Sequence, residues 1–159
     1  MTRSMRAPPL SVHGVCPPPA APATYWTPCY PFPISHRTKP EQSVATRDPR
    51  EPFTRITVHE AKEKLDRGEA VLIDVREPHE YVEVHAKGAR LIPVNTVLNE
   101  VRQIREFANG KEVLFICRSG QRSALAAEFA TAAGLDDLPL YNVEGGTLAW
   151  VEAGYPTGD

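Results

Sequence analysis

Cysteine is scarce in this 159-residue chain: Cys16, Cys29 and Cys117 are the only three, and no two stand in a CxxC pair. An odd, scattered set of this kind indicates neither a disulfide framework nor a zinc cluster, so no metal or other cofactor is expected. Long hydrophobic runs are missing too. The longest, Ala70–Ile73 and Val113–Cys117, are strand-length, against the roughly 18 apolar residues a membrane span needs. Positive charge is not in excess either. The formal net charge of −2 argues against non-specific nucleic-acid binding. With no secretory signal read at its start, the chain is expected to be soluble and cytoplasmic, with neither a nucleic acid nor a membrane as partner.

Proline, by contrast, is abundant and unevenly placed. Twelve of the sixteen prolines precede residue 53, and no acid occurs before Glu41. Such density removes backbone donors and blocks helix, so residues 1–53 are expected to be an extended or disordered extension. That stretch holds six Lys and Arg against three acids; the remainder holds twelve against seventeen. A basic targeting peptide and a proline-rich partner motif are alternative readings. A dispensable extension is favoured, with the functional product beginning near Val44 and Cys16 and Cys29 incidental. Residues 54–159 are expected to form a single domain, and the 42% hydrophobic content suffices for its core.

From Thr54 onward short strands alternate with helices. Arg55–Thr57 is a brief extended entry, and Thr57-x-x-Glu60 has the spacing of a capping box. Ala61 and Leu65 continue that helix to Gly68. Ala70–Val75 and Val113–Cys117 are continuous apolar runs, as expected of strands covered on both faces, and Glu77-Pro78 ends the first. Arg90–Val94 reads as a strand, followed by a helix with Val97, Val101 and Ile104 on one stripe. A helix over Ser123–Ala133, a strand over Leu138–Val143 and a helix over Thr147–Glu152 complete the order. Alternation of this kind predicts an α/β fold: a central parallel sheet of about five strands with helices on both faces. Ligands collect outside the carboxyl ends of such strands. This places the residues after Cys117 at the functional edge, with Asp74 and Arg76 nearby.

Those residues are Cys117-Arg118-Ser119-Gly120-Gln121-Arg122-Ser123. A reactive cysteine needs its thiolate stabilised. Here a strand ends, a loop turns and a helix begins, so backbone N–H groups can point at the sulfur. The helix N-terminus and two arginines add positive potential, and Gly120 allows a conformation that a Cβ opposes. The bland alternative is a core cysteine before an ordinary polar turn. Asp74 and Arg76 read more simply as a loop-fixing ion pair than as catalytic groups. His59, His79 and His85 are candidate bases for a Cys–His hydrolase, although nothing in the sequence sets any of them near Cys117.

CRSGQRS resembles the active loop of the rhodanese (thiosulfate sulfurtransferase) family. The supporting motifs come in order: LIDVRE at Leu72–Glu77, His-x-x-Gly-Ala at His85–Ala89, and Asn142-Val143-Glu144-Gly145-Gly146 leading to Trp150. One segment departs, since Val84-His85-Ala86-Lys87-Gly88-Ala89 stands where the family usually has Gly-His-Ile-Pro-Gly-Ala. That puts local loop geometry, rather than chemistry, in question. The resemblance implies a rhodanese-like sandwich in which Cys117 takes a sulfane sulfur from thiosulfate or a related donor. The sulfur would pass as a persulfide to cyanide or a thiol, or to a sulfur-acceptor protein. It implies substrate-binding roles for Arg118, Ser119, Gly120, Gln121 and Arg122, with amides from Arg118 to Arg122 holding the persulfide. Ser123, Asp74 and Arg76 would support them. Two rivals stay open. One is a cysteine-dependent phosphatase or arsenate reductase of the same fold, which would use Cys-x5-Arg, where this chain places Ser123. The other is a non-catalytic rhodanese-like binding module.

Overall fold

The computed structural model describes residues 45–158; Cys16, Cys29 and most of the proline-rich extension lie outside the described residues. Five strands, β1 (Thr54–Ile56), β2 (Ala70–Asp74), β3 (Arg90–Leu91), β4 (Glu112–Ile116) and β5 (Leu140–Val143), form one sheet. Its order is β1-β5-β4-β2-β3, and every pairing is parallel. Parallel neighbours need crossovers, and these are supplied by α1 (Val58–Asp66), α2 (Pro78–Glu83), α3 (Val101–Ala108) and α4 (Gln121–Ala130), with α5 (Gly146–Glu152) closing the chain.

Side chains alternate across the pleat, so each strand feeds two cores. Ile73, Val113, Phe115 and Cys117 pack with Ile104, Ala108, Ala126, Ala127 and Ala130 of α3 and α4. Leu72, Leu114, Ile116 and Val143 pack on the other face with Val58, Ala61 and Trp150 of α1 and α5. The expected two-faced α/β sheet is therefore present. The capping box also forms: Glu60 N donates to Thr57 Oγ1, and Thr57 N donates to Glu60 Oε2 at 2.8 Å.

Several boundaries differ from the sequence reading. The ordered unit takes in residues before Thr54, since Thr46 pairs with Arg55 and Phe53 is buried in the core. The expected strand over Arg90–Val94 shortens to two residues, and Val94–Thr96 turns into a 3-10 helix behind Pro93. Val97 ends that turn, so the striped helix starts only at Val101. The alanine-rich helix runs from Gln121 to Ala130 and then widens into a turn over Thr131–Leu135, where Gly134 takes a φ of +96°. The unforeseen element is α2. Pro78 sits in its first turn, where a missing N–H costs nothing, so a proline read only as a strand stop opens a helix shortly after β2 ends at Asp74.

The departing Val84–Ala89 segment still closes as a turn. Ala89 N donates to Ala86 O, Tyr81 Oη donates to Ala89 O at 2.6 Å, and His85 stacks on Tyr81. No helix among the described residues is long and apolar enough to cross a membrane.

Candidate active site

Cys117 follows the last residue of β4 and is 1% exposed. The chain then turns through Arg118 and Ser119 into Gly120, which caps α4 with a φ of +107°. Only glycine enters that region without strain, and the turn directs Gly120 N at Cys117 Sγ from 3.1 Å. From the first turn of α4, Ser123 Oγ lies within 3.4 Å of the same sulfur. Burial pushes the Cys117 thiol up, but the Ser123 hydroxyl and the amides of Ser123, Gly120 and Ser119 outweigh it and hold it below the usual thiol range. Hydrogen bonds to the anion favour the anion. The result is an anion cradle at the carboxyl edge of a central strand. Ser123, expected in a supporting role, is one of the groups that face the sulfur.

The two arginines part company. Arg118 is exposed and its side chain makes no hydrogen bond or ion pair among the described residues. Arg122 instead donates two hydrogen bonds to Glu80 of α2, at 2.6 and 2.8 Å. Bidentate pairing of this kind is strong and directional, so Arg122 chiefly ties α4 to α2. The guanidinium that was expected to attract an anionic donor is thus engaged by a carboxylate. Glu80 in turn is held down to about 2, chiefly by the Arg122 hydrogen bonds. A depressed carboxyl contributes stability above its unfolded value that is lost as pH falls through the folded one. The pair should therefore weaken between about pH 4.5 and 2. Glu80→Gln is expected to cost about 1 kcal/mol at pH 7 and to reduce the difference between urea midpoints at pH 7 and pH 3. An unchanged difference would mean that the pair adds nothing.

Asp74 and Arg76 lie beside the cradle, because Asp74 is in register with Ile116 at the end of β4. Both are buried. Arg76 Nη2 donates to Asp74 Oδ2 at 2.7 Å and to Val84 O at 2.6 Å, and Nε reaches both carboxylate oxygens at 3.0 Å. This is the ion pair that fixes the β2–α2 connection. Ser119 and Gln121 are exposed. Together with Arg55, Gly120, Asn142 and Glu144 they line an open cavity of about 500 Å³ beside the loop. Two of the three candidate histidines have other attachments: His59 bonds the Tyr155 hydroxyl, and His85 stacks on Tyr81; His79 is exposed on α2.

Two residues outside the expected site hold the loop from behind. Thr147 N and Oγ1 both donate to Cys117 O, at 2.7 and 3.1 Å. Gly146 lets α5 come that close: a Cβ there would stand 2.3 Å from Cys117 O and 2.5 Å from Arg118 C, at a φ of +57°. Backbone cannot yield as a flexible side chain can. Gly146→Ala is expected to destabilise the fold by about 2–4 kcal/mol, read as a lowered urea midpoint. A loss below about 0.5 kcal/mol would show that the loop shifts freely.

An α/β sandwich with a buried, amide-cradled cysteine at the end of its central strand defines the rhodanese-like class. The family model for the rhodanese-like domain matches residues 57–153, and the chain belongs to that family. Among solved structures, it is similar to a rhodanese-related protein from Thermoplasma volcanium, at 32% identity and a TM-score of 0.51, over 65% of this chain and 95% of that one. A protein of unknown function from Rhodopseudomonas palustris, described as a possible tyrosine phosphatase, aligns at 29% identity and a TM-score of 0.57, over 64% and 82% of the two chains. A thiosulfate sulfurtransferase from Pseudomonas aeruginosa aligns at 26% and 0.57, over 65% of this chain but 20% of the other. No curated protein matches.

Proposed function

We propose that this protein is a sulfurtransferase that carries a sulfane sulfur on Cys117. The observation that supports this most is the convergence of the Ser123 hydroxyl and the Gly120 amide on one sulfur, at 3.4 and 3.1 Å. In the first half-reaction the Cys117 thiolate attacks the outer sulfur of thiosulfate or a related donor. The donor's S–S bond breaks, sulfite leaves with the electron pair, and Cys117 is left as Cys-S-S⁻. In the second, an acceptor thiolate or cyanide attacks that outer sulfur and Cys117 leaves as thiolate. Donor and acceptor balance the cycle between them, so it calls for no cofactor. With Arg122 engaged by Glu80, Arg118 is the cation that draws the anionic donor in. A thiol, free or on a sulfur-acceptor protein, is the expected cytoplasmic acceptor.

The Rhodopseudomonas neighbour gives a second reading, phosphate-ester hydrolysis. The loop argues against it. The arginine falls one position early for Cys-x5-Arg, and its guanidinium is committed to Glu80. Steady-state kinetics separate the two. Covalent transfer in two steps predicts parallel double-reciprocal lines for thiosulfate and cyanide. Intersecting lines, or phosphate release with no thiocyanate formed, would overturn the proposal.

A further inference from the structure

Behind the cradle lies a buried polar pair that the reaction as written does not use. Ser123 and Asn142 are both fully buried. Ser123 Oγ is 2.7 Å from Asn142 Oδ1 and 3.4 Å from Cys117 Sγ. A hydroxyl has one proton, so it can serve the amide oxygen or the sulfur, not both. The other end of the amide, Nδ2, is buried and has no hydrogen-bond partner among the described residues. Buried amide donors are rarely left so. A half-turn of the amide resolves the competition for the hydroxyl proton and gives Nδ2 an acceptor, with Oδ1 taking the place of Nδ2. Nδ2 then donates to Ser123 Oγ, and the hydroxyl proton is released toward the sulfur. Asn142 is well placed for this. It stands on β5 in register with Phe115 of β4, two residues before Cys117, so its side chain shares a face of the sheet with the thiol.

We propose that Asn142 is a positioning residue that acts on Cys117 through Ser123. With the sulfur anionic, its amide donates to the Ser123 hydroxyl and fixes that hydroxyl's proton on the sulfur. With the thiol protonated, the amide turns back and accepts from the hydroxyl. One side-chain rotation thereby matches the network to the charge on the sulfur, thiolate or persulfide. This rests on Cys117 reacting as an anion, as proposed above, and not on which donor supplies the sulfur.

The test is the pH dependence of Cys117 alkylation by iodoacetamide in the full chain, followed on the peptide that holds Cys117. The charged groups on the elements around the loop are Arg118 and Arg122, Asp74 at the end of β2 and Arg76 after it, Glu80 on α2, Arg55 on β1 and Glu144 after β5, and every variant leaves all of them in place. Asn142→Leu is expected to raise the midpoint by about one pH unit. Ser123→Ala should raise it equally, Ser123→Thr should leave it in place, and the Asn142→Leu/Ser123→Ala double variant should show no further rise. Should leucine prevent folding, Asn142→Val, which suits a strand, takes its place. An unmoved midpoint in the Asn142 variant, or additive shifts in the double variant, would overturn the relay. These midpoints are read without any sulfur donor. Their failure would leave persulfide formation standing, and a missing persulfide would leave the relay standing.

Discussion

Asp74→Ala is expected to destabilise the protein by about 3–5 kcal/mol, a large part of the total stability of an ordinary domain. The reason is what the substitution strands. Arg76 is 4% exposed and takes its charge compensation from Asp74, with Val84 O as its other acceptor. Without the carboxylate, a buried guanidinium keeps one carbonyl acceptor and only a through-space attraction to Glu80, which is itself paired with Arg122. Its removal from water is then no longer offset. Urea denaturation reads the loss directly. Replacing both partners by apolar residues, Asp74→Leu with Arg76→Met, should recover part of it, because no charge is then left unpaired. A double variant as unstable as the single one would mean that the pair matters through its shape and not its charge.

Cys117→Ser is expected to lower thiocyanate formation from thiosulfate and cyanide by at least about 10³-fold, with the urea midpoint little changed. Serine fits the same space and can take the Gly120 amide that now points at the sulfur, but it cannot carry a sulfane sulfur to an acceptor. Cys117→Ala is the companion variant and should lose as much. A rate within tenfold of the parent in either variant would remove Cys117 from the reaction.

How much could be read in advance differed from one element to the next, for physical reasons. β2 and β4 were legible because strands covered on both faces must be apolar throughout. The start of α1 was legible because a capping box is a local pattern, closed within four residues. Helix α2 was not. It has six residues and buries none of them, so it leaves no apolar stripe, and its local marks are Pro78 at its first turn and the Glu77–Glu80 cap spacing. Within the site, the Cys117 loop announced itself through its own chemistry. Its partners did not, because each arrives from far along the chain. Glu80 lies 42 residues from Arg122, and Thr147 lies 30 residues from Cys117. The two arginines looked equivalent as letters, and only the fold sends one to a carboxylate and leaves the other exposed. Gly145-Gly146 was visible as part of the motif leading to Trp150. That a Cβ on the second glycine would meet the backbone of the cysteine loop follows only once α5 is packed there.

The persulfide on Cys117 is the claim on which the functional account stands. Purified protein exposed to thiosulfate, freed of excess donor and analysed by peptide mass measurement tests it most directly. One added sulfur atom is expected on the peptide holding Cys117, removed by cyanide and absent from Cys117→Ser. A Cys117 peptide left unmodified by thiosulfate and by other sulfane donors would contradict it.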